Sequence, residues 1–140
     1  MASQHDLALQ LLERAADDEA ALKALLDVPS VTDAIVGFHA QQAVEKALKA
    51  VMASRGIEFP FTHDLASLMK LSDSAGAAVP AGLAAARRLT PYGARMRYGE
   101  AVAQGVTRAE AAAWAAEAVA WARGVVQERP PLGYDVRNRP

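Results

Sequence analysis

The chain has 140 residues, 15 basic against 16 acidic, giving a formal net charge of −1, and no cysteine. That length suits one domain with core enough to fold without staples, and the missing thiols exclude a disulfide scaffold, a thiolate zinc site and a cysteine nucleophile. Hydrophobic residues make up 52%, much of it alanine, and aromatics only 6%, a balance that favours helix over sheet.

The first predicted helix runs from about Gln4 to Leu26, started by Ser3 with Asp6. Leu7, Leu11, Leu12, Ala15, Leu22, Leu25 and Leu26 form its apolar stripe, while Asp17, Asp18 and Glu19 read as solvated. Pro29 breaks the chain. The second helix is expected from about Val31 to Ser54, with Ser30 and Asp33 as start signal and Gly56 as stop. At about 100° per residue, Val36, Ala40, Ala43, Val44, Ala47, Leu48 and Val51 share a broad core face. The opposite face mixes Ile35 and Phe38 with His39, Gln42, Glu45, Lys46 and Lys49. An ordinary solvent face would not carry both aromatic and aliphatic bulk beside long polar groups, so a second packed surface is expected there. Ile35, Phe38 and His39 are its candidate dimer-interface residues.

Ile57 to Phe61 reads as a loop, and Thr62 caps a third helix from His63 to about Leu71. Ser72 to Ala78 reads as a second loop. A fourth helix spans roughly Pro80 to Leu89 and ends at Thr90-Pro91. Tyr92 to Gly105 is the least regular stretch, with three glycines. The last helix starts at Thr107 with Glu110 as capping box and runs to about Gln127, with Trp114, Ala118, Trp121 and Val125 as core stripe. Pro131 to Pro140 reads as a tail. No strand pattern or internal repeat is present. The expected fold is all-α, a single antiparallel helical bundle of about five helices over residues 1–129, followed by a Pro-rich tail at 130–140.

The charge is unevenly spread: Met1 to Asp73 carries a net −5, and Ser74 to Pro140 a net +4. No acid lies between Ser74 and Gly99, where Arg87, Arg88, Arg95 and Arg97 fall. Such a cluster suits an anionic ligand or simply solvates a helix end. No apolar run is long and uncharged enough to span a membrane, and no leader pattern precedes the first helix, so a cytoplasmic location is expected. No spacing of histidines or carboxylates points to a metal, and no phosphate-binding glycine loop or nucleophile elbow is present.

Phe38-His39-Ala40-Gln41-Gln42-Ala43-Val44-Glu45-Lys46-Ala47-Leu48-Lys49-Ala50 resembles the signature helix of the HEPN domain family (higher eukaryotes and prokaryotes nucleotide-binding), of the bacterial stand-alone type. Thr62-His63-Asp64-Leu65 is similar to the family's T-H-D-L, and Tyr92 with Arg95, Arg97 and Tyr98 to its tyrosine followed by an R-Y pair. The resemblance covers about Gln4 to Gln127. It implies a helical bundle that commonly forms homodimers, and often a partnership with a minimal nucleotidyltransferase in toxin–antitoxin or defence systems. It also implies a nucleotide or RNA ligand.

Many members are metal-independent ribonucleases that use an arginine and a histidine a few residues apart. The histidine would move the proton and the arginine would stabilise phosphorane charge. Here the histidines are His5, His39 and His63, and none follows Arg95 or Arg97. Intrinsic ribonuclease activity is therefore expected to be absent or weak, and no catalytic residue is assigned. The candidate nucleotide- or RNA-binding residues are Gln42, Glu45, Lys46, Lys49, His63, Arg95, Arg97 and Tyr98, with no cofactor. Two alternatives stay open: a ribonuclease with a non-standard site, and a purely structural dimerisation domain. Glu45 and Lys49 also stand at the i, i+4 spacing that supports a helix without any ligand.

Overall fold

The computed structural model describes residues 3–94 and 105–128, and all regular structure among them is helical. Helix α1 spans Gln4–Leu25, α2 Asp33–Ser54, α3 Leu65–Ser74, a 3-10 segment Ala81–Leu89, α4 Thr90–Ala94 and α5 Arg108–Glu128. None of the described helices is long and apolar enough to cross a membrane. Arg95, Arg97, Tyr98 and the Pro-rich tail lie outside the described residues.

Helix α2 is the axis of the bundle and touches every other helix. Its expected core face is buried throughout, with Ala40, Ala43, Ala47 and Ala50 fully enclosed. Small side chains at helix contacts let axes approach closely. The connection at 26–32 returns the chain so that α1 lies antiparallel to α2. Gln4 at the start of α1 consequently stands against Gly56, just past the end of α2. Helix α5 runs in the same direction as α2. Its first residue, Arg108, pairs with Asp33 at the start of α2, and its last, Glu128, faces Arg55 beyond the end of α2. Residues 56–107 form the crossover that permits this arrangement.

The capping signals hold at α1, where Ser3 and Asp6 form a reciprocal box, and at α5, where Thr107 and Glu110 do the same. Three boundaries differ from expectation. Helix α2 is capped by Thr32, not Ser30, with its hydroxyl accepting from Ile35 N–H. Helix α3 is capped by Asp64, whose carboxylate accepts from Ala66 N–H, because the Thr62 hydroxyl is already taken by Asp64 N–H. That local turn delays the helix, which continues to Ser74 through part of the expected loop. Thr90-Pro91 begins a helix instead of ending one. Pro91 is tolerated in a first turn, and the Thr90 hydroxyl accepts from Leu65 N–H at 3.1 Å, tying α4 to α3.

The fourth predicted helix is a 3-10 segment with Pro80 at its N-cap. Its buried residues are Leu83, Ala86 and Leu89, spaced three apart, which matches the three-residue turn of a 3-10 helix. Some burial assignments are also corrected. Leu7 is exposed, and the side chains of Asp18 and Glu19 are largely enclosed rather than solvated, while Trp121 and Val125 pack half-buried against the core.

Candidate functional site

Polar chemistry in the bundle converges on one carboxylate. Glu45, in the middle of α2, is buried and accepts three hydrogen bonds. Gln41 Nε2 donates at 2.9 Å from one turn earlier, and Lys49 Nζ at 2.9 Å from one turn later. His63 Nδ1–H donates at 2.9 Å from the loop before α3. The fully buried Gln41 also donates to the His63 carbonyl at 3.1 Å, and accepts from Gln42 at 2.7 Å. Burial by itself would raise the Glu45 carboxyl. The hydrogen bonds from Lys49, Gln41 and His63, together with the Lys49 charge, outweigh burial and hold it below its ordinary value. The site therefore presents an ionised, fully coordinated carboxylate.

His63 is the outward part of this cluster. Its side chain remains 59% exposed, and among the described residues its Nε2 makes no hydrogen bond. The carboxylate fixes one ring nitrogen as donor and leaves the other facing solvent, an arrangement that orients a histidine for proton transfer or for contact with an anion. Lys49, by contrast, is turned inward onto Glu45 and packs over the Phe59 ring at 5.6 Å.

Lys46 does not join the cluster. It pairs with Asp18 of α1 at 2.7 Å, and His39 Nδ1–H donates to the other oxygen of the same carboxylate at 3.0 Å. This second group links α1 to α2. Of the mixed face, Ile35 and Phe38 remain exposed, and Phe38 meets His39 edge-on. Thus Gln42, Glu45, Lys49 and His63 come together, while Lys46 and His39 serve a neighbouring group.

Helix α4 closes over the start of α2. A Cβ built on Gly37 would fall 2.1 Å from the Tyr92 ring, and one on Gly93 would fall 2.7 Å from the Gln41 carboxamide. Only glycine admits such contact. Tyr92 is buried, and that burial, aided by Asp33 and opposed by Arg88, raises its phenol above the usual range. The Gly93 backbone thus stands directly on the Glu45 cluster, and Arg95 and Arg97 follow it in sequence.

Three residues that matter here were not singled out from the sequence: Gln41, Asp18 and Arg108. Gln41 had a signal, since it lies between Ala40 and Val44 on the apolar arc, where a buried amide needs partners. Asp18 and Arg108 had none, because both act on distant parts of the chain. The Arg108 guanidinium reaches the carbonyls of Leu25, Leu26, Val28 and Val31 as well as Asp33. It thereby satisfies the open C-terminal end of α1. Among the described residues no group of three histidines or carboxylates could hold a metal.

No curated protein sequence and no solved structure matches the chain significantly. The sequence model of the HEPN domain matches residues 8–127. That span takes in α2 with its Gln41–Glu45–Lys49 ladder, the His63 loop and the closing helix α5, and so the chain belongs to the HEPN domain family.

Proposed function

We propose that the protein is a nucleotide- or RNA-associated HEPN module that works as a homodimer. In this reading it partners a minimal nucleotidyltransferase in a toxin–antitoxin or defence system. The observation that carries the reading is the meeting of the two family motifs, one on α2 and one at Thr62-His63-Asp64-Leu65, in a single buried hydrogen-bond cluster with His63 at its surface. Lys46 and Lys49 are already in ion pairs. The charge for a phosphate therefore falls to Arg95 and Arg97, which follow Gly93 in the chain, with Tyr98 as stacking partner. The partnership is tested by co-expression with any small nucleotidyltransferase encoded beside this gene. A complex that survives gel filtration supports it, and separate elution of the two proteins contradicts it.

A second reading, RNA cleavage at a non-standard site, is favoured by the Glu45–His63 contact, which orients a solvent-facing ring nitrogen. An RNA-cleavage assay in chelator distinguishes the two. Cleavage lost in both His63→Asn and Arg97→Ala establishes an enzyme. No cleavage by the wild type leaves the binding module.

A further inference from the structure

Arg87 and Arg88 are neighbours in sequence with opposite fates. Arg88 is fully engaged: it donates to the Gly105 carbonyl, faces Glu110 at 3.6 Å and lies over the Trp114 ring. Arg87 makes no hydrogen bond or ion pair among the described residues. It lines an open cleft of about 310 Å³ between α3 and the 3-10 segment. Lys70, also without a partner among the described residues, lines the same cleft. The lining also includes the buried Met69, the half-buried Val79 and the exposed Ala84.

One carboxylate, Asp73, belongs to the lining, but it accepts the Val79 N–H at 2.8 Å and is held at that connection. Another, Glu117 of α5, stands against Gly82 and does not line the cleft. Lys70 and Arg87 together exceed the single Asp73 charge, so the lining carries a net positive charge that an added anion would offset. An arginine fork and a lysine point charge lining one cleft suit a phosphate group. The cleft volume is near the lower end for small-molecule sites. That size fits a phosphate on a compact body.

We propose that this cleft binds a phosphate-bearing small molecule, at a second anion site independent of the Glu45 cluster. The site does not depend on the RNA-binding reading, because it uses no residue of that cluster. Amide spectra of ¹⁵N-labelled protein, titrated separately with inorganic phosphate, AMP, a short RNA and chloride at matched ionic strength, test it. Phosphate and AMP should give saturable shifts in residues 69–87 that chloride does not reproduce. The Lys70→Gln, Arg87→Gln double variant should bind about tenfold or more weakly, whereas Lys70→Arg should retain binding. Both side chains are exposed and without partners among the described residues, so helical circular dichroism should be unchanged in every variant. Three results overturn the proposal: chloride shifts equal to those of phosphate, undiminished binding by the double variant, or shifts in this region with RNA alone.

Discussion

A buried carboxylate whose pKa is depressed stabilises the fold only while it is ionised. Glu45 titrates in the unfolded chain at about 4.3 and lower in the folded protein. Its contribution is therefore fully present above the unfolded value and is lost as pH falls through the folded one. Glu45→Gln should lower unfolding stability near neutral pH by about 1–3 kcal/mol. The gap between wild type and variant should narrow below about pH 4 in denaturant titrations. A gap that stays constant down to acid pH would show that the carboxylate is not held ionised. Arg108 offers a second test at this scale. Arg108→Ala strips four carbonyls and Asp33 of their shared donor and should cost about 2 kcal/mol or more. Arg108→Lys should recover only part, because one ammonium cannot span the fork.

At the scale of elements, the sequence was most readable where the signal is local. Both capping boxes and the core face of α2 follow from spacing alone, and so does the stop at Gly56, which adopts φ 71°. Capping at α3 was less readable, since Thr62 and Asp64 both offer an oxygen and only the competition between them sets the start. The 3-10 geometry was written in the spacing of Leu83, Ala86 and Leu89, but an alanine-rich run reads as ordinary helix until the buried side is known. In the site, the Glu45–Lys49 pair was legible as an i, i+4 neighbour. The inward turn of Lys49, and the diversion of Lys46 to Asp18, depended on which helix packs alongside.

Two predictions belong to elements. Gly37→Ala should push the Tyr92 ring off α2 and destabilise the protein by about 1–3 kcal/mol, seen as a lower denaturation midpoint with an altered tyrosine signal. The exposed Ile35 and Phe38 form the proposed contact between copies. Sedimentation at micromolar concentration should give about twice the 14.8 kDa chain mass, and Phe38→Glu should return it to the single-chain value. A wild-type chain that sediments at the single-chain mass throughout that range would remove the dimer from the account.

For the whole molecule, the parallel course of α2 and α5 gives residues 56–107 their place. That crossover carries the T-H-D-L loop and α4, and α4 seats Gly93 on Gln41, one turn of α2 before Glu45. The fold thus gathers residues from distant parts of the sequence around one carboxylate, with His63 at the surface. Titration calorimetry with ATP, GTP and a short RNA, on the wild type and on an Arg95→Ala, Arg97→Ala double variant, tests the central claim most directly. At least one of the three should bind the wild type, with an affinity that falls as salt rises, because phosphate contacts release counterions. The double variant should lose roughly 1–3 kcal/mol for each arginine removed. Equal binding of all three ligands by both proteins, or no binding by either, would contradict a nucleotide- or RNA-associated role.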